Sequence, residues 1–221
     1  MEQQKNEHLP LELSSQLITI MTTEHYNLQT GRSMTISEAN GRSSLFVGAV
    51  SSGLVALALV GQISRLGTAF LAFSLIVLLT LWFMGLITFE RVLQAGSADF
   101  TYAVGINRIR HLYLQYAPQL QPYFILSAHD DREGILGQEA MHTSRWQTFL
   151  STAGMIAVIN SVLVGSFVGL LLAAFTFPLW ACIIAGVVIF LVSVGIHQRY
   201  QSRQWTRVER NLPILFPSLP R

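Results

Sequence analysis

Two stretches of the chain carry residue types that do chemistry. The first is "HDDREG", residues 129–134, followed by Glu139 and His142. Imidazole and carboxylate side chains of this kind hold divalent metals. Here they lack the spacing that marks a metal or catalytic site, because the sequence holds no HExxH, no paired CxxC, no nucleophile elbow and no phosphate-binding glycine loop. A polar turn with a helix cap explains His129, Asp130 and Asp131 more simply. A membrane-bound metal hydrolase acting at these residues and His142 is therefore the weakest of three functions considered. No metal and no cofactor is expected, and the chain is not read as an enzyme.

The second stretch is "INRIRHLYLQYAPQLQPYF", residues 106–124, which has a partner in "RYQSRQWTRVER" at 199–210. Thirteen of the fourteen basic residues are arginine. Arginine's planar fork takes phosphate in bidentate fashion, where lysine offers a point charge. Arg108 and Arg110 stand beside His111, Tyr113 and Tyr116, while Arg203 and Arg207 lie one helical turn apart with Trp205 between them. Guanidinium groups mixed with rings suit a nucleotide or oligonucleotide. The candidate ligand-binding residues are accordingly Arg108, Arg110, His111, Tyr113, Arg203 and Arg207. A competing reading has basic residues near a span anchoring topology and touching lipid phosphates, with Trp and Tyr at the interface. It is favoured for the C-terminal group.

What must position these residues is a membrane protein. Hydrophobic residues make up 51% of the 221 and charged residues only 12%, against about a quarter in soluble domains. Four runs free of Asp, Glu, Lys and Arg are long enough to cross a hydrocarbon core, which takes about 20 helical residues: 44–62, 67–89, 149–176 and 179–196. They form two hairpins. The third exceeds the need and is expected to tilt or project. Of the fourteen basic residues, thirteen fall on one side and only Arg65 on the other. The positive-inside rule makes that side the cytoplasm and places both termini and the central segment there, in a bacterial inner membrane. No cleaved leader is expected, since a long polar stretch with five glutamates precedes the first run. The single cysteine, Cys182, lies inside the fourth run and excludes an intrachain disulfide.

The expected fold class is all-α: four transmembrane helices in two hairpins with helical cytoplasmic extensions. Its parts are an N-terminal helix (1–43), a first hairpin (44–89), a central helical segment (90–148), a second hairpin (149–196) and a basic helix with a proline-rich tail (197–221). Apolar residues at helical spacing before residue 44 predict a helix running into the first span, with possible breaks at Gly31 or Gly41. The second helix has no stop signal before Pro118, and Tyr102, Ile106, Ile109, Tyr113 and Tyr116 repeat at four-three spacing, a seam for another helix. Pro118 and Pro122 turn the chain, a further helix begins near Glu133, and Pro213, Pro217 and Pro220 hold the tail extended.

Within the spans, Ser161, Gly165, Gly169 and Ala173 recur every fourth position, as do Gly48, Ser52 and Ala56. Such stripes let helices approach closely, within one bundle or between copies. Asn160 is the only amide, acid, base or histidine well inside a span. It either bonds across helices or, with Ser161 and Ser166, lines an aqueous path. Pumps and ion-coupled transporters tend to need intramembrane charges, which these spans lack, so a passive pore is the transport function left open.

The leader "EHYNLQTGRSMTISEANGRSSLFVGAVSSGL", residues 24–54, resembles the entry to the membrane module of SLATT-type effectors of bacterial antiphage systems. The block "INRIRHLYLQYAP" followed by "PYF" resembles uncharacterised four-span bacterial membrane proteins. The first resemblance implies a membrane effector, a pore responding to a nucleotide signal made by a partner enzyme. The second hairpin and the central segment depart from that pattern, and no motif residue carries over individually. The expectation is an oligomeric inner-membrane effector that permeabilises the membrane: ligand binds the arginines and tyrosines of the second helix's extension, and the heptad seam relays a shift to the spans. The alternative is a non-enzymatic scaffold in the lipid bilayer that recruits a soluble partner through residues 106–124.

Overall fold

The computed structural model describes residues 15–136 and 150–218. Every regular element among them is helical, and four helices are long and apolar enough to cross a membrane. Helices α1 (Ser15–Ile63) and α2 (Thr68–Tyr116) each run 49 residues. A 3-10 helix (Pro118–Tyr123) and the short α3 (Arg132–Leu136) follow, then α4 (Thr152–Ala174) and α5 (Leu179–Asn211). This is the all-α architecture of a multi-pass membrane protein.

Three boundaries differ from expectation, each for a local reason. α1 passes through Gly31 and Gly41 without a break. Gly31 serves contact instead of interruption, because a Cβ there would stand 2.9 Å from the Tyr102 ring. The third span is no longer than it needs to be. Ser151 caps it by accepting a hydrogen bond from the Gly154 N–H at 3.1 Å, and Thr176 at positive φ (62°) shortly before Pro178 closes it, leaving a helix of 23 residues. The tail after Asn211 is not a free extended strand, as its contacts below show.

The described chain falls into two compact units. The span unit contains residues 35–98 and 150–211. Its core gathers Phe46, Leu78, Leu81, Phe89, Ile156 and Leu163. Close approach is bought with glycine where α4 meets α5. A Cβ on Gly165 would lie 2.7 Å from the Gly186 carbonyl oxygen and 3.2 Å from Phe190 Cβ. Much of the rest of the surface is apolar and outward: Ile183, Ile184, Val187, Val188, Leu191 and Val192 on α5 are all at least half exposed. In water that surface would be unfavourable by about 25 cal/mol per Å², whereas in lipid it is at home.

The glycine contact gives a first prediction. Gly165→Ala must push α4 from α5, since a backbone oxygen cannot swing aside, and we expect about 1–3 kcal/mol of destabilisation. Thermal unfolding in detergent measures it. Gly195→Ala, with nothing within 4 Å, is the control and should leave the midpoint unchanged.

The extension unit contains residues 15–34, 99–136 and 212–218. Here α1 and α2 pair through Arg32 with Asp99, Gly31 under the Tyr102 ring, Leu28 against Gly105, and His25 stacked on Tyr113. Ile106 and Ile109 on α2 are buried.

Candidate functional site

Arg108 and Arg110 stand two apart on α2, and their surroundings differ. Arg108 does not face an open site. Its Nε donates to Asp130 Oδ2 at 2.8 Å, and its terminal nitrogen donates to the Pro213 carbonyl. Asp130, wholly buried, also accepts from the backbone N–H of Phe216 (2.7 Å) and of Leu215 (3.0 Å), and its own N–H donates to Phe216 O at 3.2 Å. Asp131 accepts from the N–H and hydroxyl of Ser218 and, at 2.8 Å, from the N–H of Gly134, where it caps α3. The Phe216 ring lies flat on His111, centroids 3.8 Å apart. Residues 213–218 are thus a latch, held mainly through backbone groups by the turn at 129–131 and by α2. Burial alone would raise both carboxyls, but the N–H groups outweigh it and, with Arg108 beside Asp130, hold the two below the usual carboxylate range. In this conformation Arg108 and His111, expected to bind ligand, are engaged by the chain itself.

Arg110 has the opposite setting. Its guanidinium donates to Asn107 Oδ1 at 2.9 Å, and among the described residues no carboxylate pairs with it. Partial burial, and then the charge of Arg32, make this guanidinium hold its proton less firmly than usual, though it stays charged. Burial and then Arg110 likewise hold the His25 imidazole below its ordinary value. The Gln29 amide nitrogen lies 2.8 Å from His25 Nε2. An amide nitrogen only donates, so the ring accepts there and is neutral. Asp99 offsets Arg32 alone, with N···O at 2.8 Å. His25 and Arg32 of α1 and Arg110 and Tyr113 of α2 all belong to the extension unit, where the His25 ring stacks on Tyr113. His25 and Arg32 were not among the expected site residues. Their signal was present in the helical spacing of seven on α1.

The polar residues of the span unit form a third constellation. Asn160 and Ser161, expected either to pack or to line an aqueous path, are wholly buried within the bundle. Ser161 donates to Ala157 O at 2.7 Å, and its Oγ lies 2.9 Å from Ser193 Oγ, whose hydroxyl it can accept. Asn160 Nδ2 lies 3.4 Å from His197 Nε2, and His197 Nδ1 lies 2.8 Å from Ser193 O. A carbonyl only accepts, so the proton sits on Nδ1 and Nε2 receives the Asn160 amide. Among the described residues Asn160 Oδ1 has no hydrogen-bond partner; it packs against Gly85. Neither residue faces a passage within one chain, and Ser166 alone of the three is exposed, on the outer surface of α4. His197 was missed because it follows the last apolar run by one residue and reads as a flank.

The remaining candidates are separate. Arg203 and Arg207 are exposed on α5 and belong to the span unit, whereas Arg110 belongs to the extension unit. Gly169 and Gly165 pack within the chain, against the Cys182 and Gly186 carbonyls. Asp130 and Asp131 are committed to the latch, and among the described residues no three metal-ligand side chains converge. Glu139 and His142 lie outside the described residues. No protein-family model, curated protein or solved structure matches the chain.

Proposed function

We propose that the protein is an effector of a bacterial inner membrane, with both termini and the extension unit on the cytoplasmic side, that assembles as a homo-oligomer and opens a pore when the extension unit takes up an anionic ligand or a soluble partner. Antiphage defence by membrane permeabilisation is the setting suggested by the resemblance of residues 24–54 to SLATT-type effectors. One observation carries the pore reading. Ser44, Gly48, Ser51 and Ser52 on the first span are all exposed, and nothing lies within 4 Å of where a Gly48 Cβ would be. The third-span stripe is consumed inside the bundle; this one is not. The Ser51 hydroxyl is bonded to the Val47 carbonyl of its own helix at 2.9 Å, and a face of residues this small lets a second helix approach closely. Copies meeting along this face would bring small polar side chains to a common axis. α1 carries that face together with His25 and Arg32 on one unbroken helix.

A second reading has its own support. Tyr123, the last residue of the 3-10 helix, and Ile125 just beyond it are 80% and 98% exposed, a placement that favours recruitment of a soluble partner by a membrane scaffold. One experiment separates them. Expressed in bacteria, the effector should collapse the membrane potential, and Gly48→Leu should abolish the collapse at equal membrane content. An intact potential, together with a stoichiometric soluble protein that co-purifies and is lost on Tyr123→Ser and Ile125→Ser, would establish the scaffold instead.

A further inference from the structure

We infer that the surface formed by Arg108 and His111 of α2 and by the turn at 129–131 is a peptide-recognition site, and that its ligand in the assembled protein is the C-terminal segment of a second copy of this chain. The inference rests on the homo-oligomer reading above and names one contact that joins the copies. Recognition is mostly of main chain. Arg108 donates to the Pro213 carbonyl, Asp130 accepts from the N–H of Leu215 and of Phe216 and returns its own N–H to Phe216 O, and Asp131 accepts from the N–H of Ser218. Two side chains of the segment are read as well, the Phe216 ring flat on His111 and the Ser218 hydroxyl on Asp131. Ile214, Leu215 and Pro217 face outward and are exposed. A segment of extended backbone with Phe, and Ser two residues later, therefore satisfies the whole site, whichever copy supplies it. Asp130 is wholly buried once the segment is seated, so its charge-assisted bonds form out of water, where they are strong.

The way the segment joins the rest of the chain favours exchange between copies. α5 ends at Asn211 in the span unit, and Leu212 already belongs to the extension unit, so the segment leaves one compact unit and is held by the other. Seating it on a neighbour keeps every contact of the site and changes only the link at 211–212 and the stiff Pro213 that follows. From Asn211 to Leu215 the extended chain spans up to about 13 Å, more than one helix diameter, which is long enough to reach a copy packed alongside. Ile214 and Leu215 are already 57% and 55% exposed, so little further apolar surface is uncovered as the segment moves from one site to another. Once copies are assembled, the neighbour's site stands at an effective concentration on the order of millimolar, which makes exchange competitive without any new contact.

The test co-expresses two differently tagged full chains and purifies them together. One carries Asp130→Ala, which spoils its site and leaves its tail intact; the other carries Phe216→Pro, which removes an N–H and the ring from its tail and leaves its site intact. Alone, neither chain holds its tail in place. Mixed, the tail of the Asp130→Ala chain has an intact site to enter, and that site lies on the other copy. Amide exchange at Leu215 and Phe216 of the Asp130→Ala chain, told from its partner by mass, should slow about tenfold or more on mixing. Co-purification of the two tags reports the oligomer separately. Tags that co-purify with no gain in protection overturn the exchange and leave the oligomer standing, whereas tags that do not co-purify, with both chains in the membrane, overturn both. A second measurement leaves the site untouched: a photoreactive benzoylphenylalanine replaces the exposed Ile214, and this chain is co-expressed with a tagged, unsubstituted copy. Cross-links from position 214 of one chain to residues 127–131 of the other support the exchange. Cross-links confined to one chain, or none between chains at 127–131, overturn it.

Discussion

Gly85→Ala should disrupt the span unit more than any other single methyl added to it. The new Cβ would stand 2.1 Å from Asn160 Oδ1, 2.7 Å from Asn160 Cγ and 3.0 Å from Phe46 Cζ. Neither neighbour has anywhere to go. Asn160 is fully buried and bonded to His197, and Phe46 is 1% exposed in the middle of the core. Overpacking of this kind costs about 1–3 kcal/mol, and displacing the Asn160 amide from His197 strands buried polar groups at about 1–3 kcal/mol more. Loss of the folded protein from membranes, or a midpoint lowered by many degrees in detergent, is the expected result. The double variant with Asn160→Ala vacates the space. It should recover stability relative to the sum of the two single changes, a coupling of about 0.5–3 kcal/mol. Strict additivity would mean that α2 and α4 do not meet at this pair.

Release of the latch is the second large effect. Asp130→Ala removes the acceptor for two backbone N–H groups and for Arg108. Breaking a buried ion pair by deleting one partner costs about 3–5 kcal/mol, and the 28% exposure of Arg108 places this case near the lower end. Amide hydrogen exchange at Leu215, Phe216 and Ser218 should then accelerate about a hundredfold or more, while amides of the span unit keep their protection. The acid dependence follows from the direction of the shifts. Both carboxyls titrate below 3.8 when latched, so their contribution is complete at pH values above 3.8 and is lost as pH falls through the lower, latched value. Corrected for intrinsic rates, protection of the tail should be flat through neutral pH and fail only in strong acid. A latch that opens near pH 6 would contradict this account.

Much of this could be read from the chain in advance, and the rest could not for identifiable reasons. The spans declare themselves because lipid demands long uncharged runs. The third differed only at its ends, where Ser151 and Thr176 act through local geometry that hydropathy does not register. The seam on α2 was legible from its spacing, although the residues that receive Tyr102 and Tyr113, Gly31 and His25, were not. A helix turns about 100° per residue, so Arg108 and Arg110 had to point about 200° apart. Treating them as one site ignored that. The latch was hidden for another reason. It joins residues 130 and 216 through backbone N–H groups, which carry no side-chain signature, and the prolines nearby suggested only an extended tail. Asn160 was visible as the lone amide of a span, but its fate depended on Gly85 of another helix and on His197 just past the last apolar run.

The most direct test of the pore is potassium efflux from liposomes containing the purified full chain, followed with and without pyrophosphate on the side of the extension unit. Efflux that rises on addition of the anion, and that Arg110→Gln and Gly48→Leu each suppress without loss of folded protein, is the expected result. Liposomes that stay sealed at every anion concentration, with the chain inserted and folded, would contradict it.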